Sequence, residues 1–290
     1  MGSLEEVSEA RLPPSLLGEV EPRTTDAPAL VLHPEARKRV PLPHAPRLSV
    51  SSGYSLREIQ VLDERGAHSS ICVPVERALK VLVDGHLVGT LTTLGGAAEL
   101  LVVGYLRNQL LISDVTSIES VTVDWQSAMA VVSTHNGTRA SERTNSANPP
   151  QFSAPRISRS KLLAVIDGMR CCDAIFRAAG SVHGCALFQG ESLWINVEDV
   201  SRRNAIDIIT GWMAVHGVPG ADKLLFTTGR LSAEIVTKAA HNGIPILVTR
   251  KGVTATAYDL AVQLGMTLFG RAYDDRYVCY AGADRFDADS

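Results

Sequence analysis

The stretch from Leu224 to Thr249 reads LLFTTGRLSAEIVTKAAHNGIPILVT. It opens on a short apolar run, Leu224 to Thr227, that suits a buried strand, and it closes on another, Ile246 to Thr249. Between them, Leu231 to Asn242 carries apolar residues at helical spacing, and Gly243 and Pro245 stop that helix. The alternation continues on both sides. Upstream lie a helix from Arg159 to Ala178 that ends near Gly180, strand-like runs Cys185 to Phe188 and Leu193 to Val197, and a helix from Ser201 to His216. Downstream lie a helix from Thr254 to Leu264 and strands Thr267 to Phe269 and Tyr277 to Tyr280. Such alternation predicts a mixed sheet sandwiched by helices over residues 156–286, an α/β fold.

The first half has a different texture. Short β-rich runs fill Arg47 to Val132, with Leu79 to Val83 and Leu87 to Leu94 joined by an Asp84-Gly85 hairpin turn. The apolar face of Ala97 to Leu110 predicts a helix packed on those strands, and a strand pair, Ser117 to Asp124 and Ala128 to Thr134, closes a small β-rich lobe spanning 46–133. Residues 134–155 are polar, with Asn136-Gly137 and Pro149-Pro150, and read as a linker or exposed loop. Residues 1–45, rich in proline and charge, bury too little apolar surface to offset ordering entropy and read as a flexible tail.

Composition narrows the function. The chain has 290 residues, of which 28 are Lys or Arg and 31 Asp or Glu, so it lacks the bulk positive charge of a nucleic-acid binder. No apolar run is long enough for a membrane span, and the N-terminus has no charged-then-apolar signal pattern, so a cytoplasmic protein is expected. Five scattered cysteines without CxxC spacing suit reduced thiols. The vicinal Cys171-Cys172 pair is better explained as part of a helix: Leu162, Ile166, Met169, Cys172 and Phe176 share one face, which makes Cys172 a small buried hydrophobe rather than a metal ligand. GxSxG, HExxH, Walker and GxGxxG motifs are absent, as is the HxE…PCxxC zinc-deaminase pairing.

In an open α/β sheet, ligands sit beyond the carboxyl ends of the strands. There the sequence repeatedly places cations: Arg202-Arg203 after Leu193 to Val197, Gly229-Arg230 after Leu224 to Thr227, Arg250-Lys251 after Ile246 to Thr249, and Gly270-Arg271 after Thr267 to Phe269. Guanidinium forks suit phosphate oxygens, and glycine lets a ligand approach the backbone, so a phosphorylated small molecule is the expected ligand. The competing expectation is that these arginines pair with Asp199, Asp207 or Glu234 on the surface. His183, in a turn after Gly180-Ser181, can face either such a site or a structural partner.

Several segments, in order, resemble the FdhD/NarQ family of formate dehydrogenase accessory proteins, over about three quarters of the chain. Val83-Asp84-Gly85 and the run from Leu94 to Leu106 are similar to the family's Asn-Gly turn and its Pro-Gly…Glu-Leu…Gly-Phe-Leu helix. Gly180 to Ala186 is similar to its Gly-Gly-x-His-x-Ala turn, and Glu198 to Asp207 to its Glu-Asp-Val-Gly-Arg-His-Asn-Ala-x-Asp run. Thr228 to Glu234, Lys238 and Gly243-Ile244-Pro245 follow its Ser-Gly-Arg…Glu…Lys…Gly-Ile-Pro pattern.

The resemblance implies a cytidine-deaminase-like three-layer α/β domain with a smaller β-rich N-terminal lobe. It also implies a homodimer, and a sulfurtransferase role toward the bis-molybdopterin guanine dinucleotide cofactor, with no metal site of the protein's own. The positions it marks for cofactor binding are His183, Arg202, Arg203, Gly229 and Arg230, and the loop Arg271, Ala272, Tyr273, Asp274, Asp275 and Arg276, where the family has Gly-Phe-x-Arg. The partners it implies are a formate dehydrogenase catalytic subunit, the guanine nucleotide end of the cofactor and a cysteine desulfurase. Where the family carries Cys-Gly-x-Cys, this chain has Asn145 and Asn148, and an amide can form no persulfide. The expectation is therefore a chaperone that binds cofactor or apo-enzyme without sulfur transfer. A permanent structural subunit, or a sulfurtransferase using Cys171, Cys172 or Cys185, is the alternative.

Overall fold

A computed structural model describes residues 23–24, 29–50, 53–112, 114–135, 152, 155–170 and 172–288. The first half forms β1 (Arg23–Thr24), β2 (Leu30–Leu32), α1 (Pro34–Arg37), β3 (Arg47–Leu48), β4 (Ser55–Leu62), β5 (His68–Pro74), β6 (Arg77–Val83), β7 (His86–Thr93), α2 (Ala98–Asn108), β8 (Ile118–Asp124) and β9 (Met129–Thr134). The second half forms β10 (Ile157–Ser158), α3 (Arg159–Arg170), α4 (Ala174–Ala179), β11 (His183–Gln189), β12 (Ser192–Asp199), α5 (Arg202–Val215), β13 (Lys223–Thr227), α6 (Ala233–His241), β14 (Ile246–Thr249), α7 (Ala255–Leu264), β15 (Thr267–Tyr273), β16 (Arg276–Ala281) and β17 (Phe286–Asp287).

The large sheet has the order β16-β15-β14-β13-β11-β12-β2. Strands β13, β14 and β15 run parallel, each reached through a helix, while β11 is antiparallel to both its neighbours. Side-chain alternation assigns the two faces. Leu187, Leu225 and Leu247 pack under α5, α6 and α7, against Ile206, Ile209, Trp212, Ile235, Val236 and Ala261. Ala186, Phe226 and Val248 face the other way, onto Leu162, Val165, Ile166 and Met169 of α3. The result is the expected three-layer α/β arrangement, a mixed sheet between two helical layers. The N-terminal lobe is a five-stranded sheet, β3-β8-β9-β6-β7, with Val102, Val103 and Leu106 of α2 packed on Leu79, Val81 and Val132.

Helix α2 joins the two cores because it has an apolar side for each and because Gly104 crosses Gly211 of α5. A Cβ added at Gly104 would lie 1.8 Å from the Asp207 carbonyl oxygen, and one at Gly211 2.0 Å from that of Leu100. Only glycine permits this backbone approach.

Three expectations need correction. Within the stretch assigned to a flexible tail, Leu30–Leu32 pairs with Ile195–Val197 as an edge strand, and Ala36 buries in the main core; a few apolar residues with an open sheet edge to join suffice for order there. The helix expected over Arg159–Ala178 is two helices, α3 and α4, broken at Cys172-Asp173, where Asn196 donates to the Cys172 carbonyl at 2.8 Å and Glu198 accepts from the Ile175 and Phe176 N–H groups at 2.8 and 2.9 Å. The break turns Phe176 off the buried face, leaving it 51% exposed. Cys172 is buried, as its helical face suggested.

Candidate functional site

The carboxyl ends of β13, β14 and β15 meet the start of β11 around a cleft of about 310 Å3. Thr228 follows β13, Arg250 and Lys251 follow β14, Tyr273 ends β15, and Val182 leads into β11, which His183 and Gly184 begin. Asp173 and Phe176 close it from the α3–α4 break. The strand ends are laced together: Gly184 N–H donates to Thr228 Oγ1 at 3.0 Å, Thr228 N–H to the Gly184 carbonyl at 2.9 Å, and Thr249 Oγ1 to the Gly229 carbonyl.

Arg250 is fixed by Asp173, which accepts from its Nη1 at 2.7 Å, and by the Met169 carbonyl at 3.5 Å. Arg202, at the first turn of α5, lies over Gly229, where a Cβ would meet its Cδ at 2.6 Å. Its Nε is buried and has no hydrogen-bond partner. His183 stands near Arg202 and Lys251; burial first, then those two charges, hold the imidazole below its ordinary pKa. The cleft is thus lined by two cations, Arg250 and Lys251, and a neutral histidine, with Asp173 as the carboxylate among its lining residues, Arg202 near His183, and two half-exposed aromatic rings, Phe176 and Tyr273. Unmet donors and positive potential suit an anion, and rings at the mouth suit a planar base.

The other residues marked in the sequence fall elsewhere. Arg203 points away from the cleft, to Glu234 at 2.9 Å. Arg230 is exposed beyond Gly229. In the β15–β16 hairpin, Arg271 is exposed at φ +52° and donates its N–H to the Lys251 carbonyl at 2.8 Å, while Asp274 pairs with Arg170 at 3.1 Å. Asp275 and Arg276 are exposed at the turn. Ala272 has its side chain fully buried in the α3-side core, so the ligand-facing role its loop position suggested is closed to that side chain. Asn145 and Asn148 lie outside the described residues. Lining residues absent from the sequence-marked set are Asp173, Phe176, Val182, Gly184, Thr228, Arg250 and Lys251; the last two stood at a marked strand end, whereas Asp173 and Phe176 were hidden by the unbroken-helix reading.

A second cavity, of about 370 Å3, lies at the lobe junction between β7, α2, α5 and α6. There Lys238 Nζ donates to Asp207 at 2.8 Å and lies 3.5 Å from Glu234, Asn108 donates to Asp207 at 2.6 Å, and Asn242 donates to Asn108 at 2.8 Å. Nearby, Asp199 accepts from Thr93 Oγ1 at 2.6 Å, Leu94 N–H at 3.1 Å, Ser201 N–H at 3.0 Å and Asn204 at 2.9 Å, tying the small lobe to the start of α5. Among the described residues, no group of three or more His, Cys, Asp or Glu side chains could hold a metal ion. No helix among them is long and apolar enough to cross a membrane.

Comparison with known proteins places these segments together. The model of the FdhD/NarQ family matches residues 74–287, more than half of the chain. A sulfur carrier protein FdhD from Halalkalibacterium halodurans is 27% identical over 250 residues, covering 78% of this chain and 93% of that one. Its namesake from Geobacillus kaustophilus is 26% identical over 219 residues, covering 68% and 83%. The namesake from Nocardia farcinica is 36% identical over a shorter 119 residues, 40% of this chain and 43% of that one. Among solved structures, a protein from Desulfotalea psychrophila, described as a formate dehydrogenase accessory protein, has a TM-score of 0.68 and covers 82% of this chain and all of its own at 22% identity, which establishes the shared fold.

Proposed function

The chain belongs to the FdhD/NarQ family, and on that premise we propose that it is a cytoplasmic accessory protein of a molybdenum- or tungsten-dependent formate dehydrogenase, binding the guanine dinucleotide end of the bis-molybdopterin cofactor in the cleft and transferring no sulfur by persulfide chemistry. The observation that carries this reading is the cleft itself. Arg250 and Lys251 line it at the carboxyl end of β14, and Arg202, on the segment that resembles the family's Glu-Asp-Val-Gly-Arg-His-Asn run, lies near His183 with a buried Nε that has no hydrogen-bond partner. The residues fit such a ligand: Arg250 and Lys251 of the lining, with Arg202 near His183, for the diphosphate, and Phe176 and Tyr273 for the base. When bound, the cofactor brings the metal-binding dithiolenes; the residues here hold and orient its nucleotide end.

Of the three alternative cysteines, Cys171 lies outside the described residues and the other two are poorly placed for sulfur chemistry. Burial pushes the Cys185 thiol far above its ordinary range, and Cys172 is buried with its Sγ donating to the Gly168 carbonyl at 3.3 Å. Neither offers an exposed thiolate. The test is calorimetric titration of the purified protein with GDP. Saturable binding is expected, and a folded protein that binds none would overturn the reading. Iodoacetamide labelling of the native protein should leave Cys172 and Cys185 unmodified.

A further inference from the structure

We infer that the cleft takes up a proton together with its anion, and that His183 is the group that receives it. The inference rests on the proposed nucleotide site and adds how that site is regulated.

His183 lines the cleft at the start of β11, half-buried, with Lys251 and Arg250 from the end of β14 in the same lining and Arg202 of α5 near its ring. The remaining titratable groups around it are already committed. From the α3–α4 break, Asp173 is engaged by Arg250 at 2.7 Å. From β12, Asp199 is the backbone partner of His183, but its carboxylate accepts four hydrogen bonds from Thr93, Leu94, Ser201 and Asn204. From β15, Tyr273 contributes a phenol. The imidazole therefore faces two positive charges and no free negative one, and it stays neutral with the cleft open. An anion seated among Arg202, Lys251 and His183 reverses the sign of that field. It neutralises the two cations and offers an acceptor to the imidazolium, so protonation of the ring becomes favourable as the ligand enters.

The sign follows from linkage. His183 has a lowered pKa in the free protein and a raised one in the complex, so the complex binds the extra proton. Affinity is full below the free-state pKa, falls by about tenfold per pH unit between the two pKa values, and levels off above the higher one.

The test uses GDP-mannose, a guanosine diphosphate ester with no phosphate group that titrates near neutrality. Calorimetric titrations at pH 7 in buffers of different ionisation enthalpy should give an apparent enthalpy that varies with the buffer, with a slope reporting proton uptake. The slope should vanish in His183→Asn. On the wild-type protein, the imidazole C2–H resonance of His183 should titrate at a higher pH with ligand than without, a readout that does not depend on the variant folding. Binding with a buffer-independent enthalpy and an unmoved His183 midpoint would overturn the inference and leave the nucleotide site standing. Absence of binding at every pH would overturn both.

Discussion

The cleft and the lobe junction are built from the same kinds of side chain and end in opposite states. At the junction every charge meets its partner inside the chain: Lys238 serves Asp207 and Glu234, Asn108 serves Asp207, and Arg107 donates to Asn242 at 3.0 Å. At the cleft Lys251 is exposed and His183 is neutral, and Arg202 beside His183 keeps an unpartnered Nε. The number of charges does not separate a structural network from a binding site. What separates them is whether the hydrogen bonds close. Arg202 and Arg203 make the point at single-residue scale: one residue apart on α5, they lie about 100° apart around the helix, and one lies near His183 while the other serves Glu234.

The largest expected effect lies at the junction. Lys238→Met would leave the Asp207 carboxylate buried without its cation and should cost about 3–5 kcal/mol in urea unfolding. Next, Gly104→Ala should cost about 1–3 kcal/mol or more, because its Cβ has no room beside Asp207 and the helices must separate. Both changes would sharpen the contrast if they lowered stability far more than they altered nucleotide affinity in the folded fraction.

Asp207 also sets a pH signature. Burial raises its pKa to about 6, outweighing the pull of Lys238, so the folded state holds a proton that the unfolded state has already lost above its ordinary value of 3.8. Stability should therefore fall as pH rises from about 4 to about 6 and then level off, a slope that Asp207→Asn should remove in thermal scans.

Cleft substitutions should behave in the reverse way. Arg202→Ala should weaken GDP by about 1.5–3 kcal/mol, the scale of a charge-assisted hydrogen bond, with little loss of stability. Arg203→Ala, at an exposed ion pair, should cost at most about 1 kcal/mol of stability and leave GDP binding unchanged.

Much of this was legible in the sequence because it depends on local pattern. The alternation from Leu224 to Thr249 predicted β13, α6 and β14, and the rule that ligands collect beyond strand carboxyl ends pointed to Arg250 and Lys251. What was missed depends on distant partners. Apolar spacing carried a helix straight through Cys172-Asp173, because the groups that break it, Asn196, Glu198 and Arg250, come from other elements. The same non-locality hid the edge strand Leu30–Leu32, whose partner is more than 160 residues away in sequence. The split between Arg202 and Arg203 became readable only once α5 had a direction relative to the sheet.

The central claim, that the cleft with its unpaired donors and not the hydrogen-bonded junction receives the ligand, is tested most directly by titrating GDP into Arg202→Ala and Arg203→Ala side by side with the wild type. At least about a tenfold loss is expected in the first and wild-type affinity in the second. Equal losses in both, or a loss confined to Arg203→Ala, would contradict it.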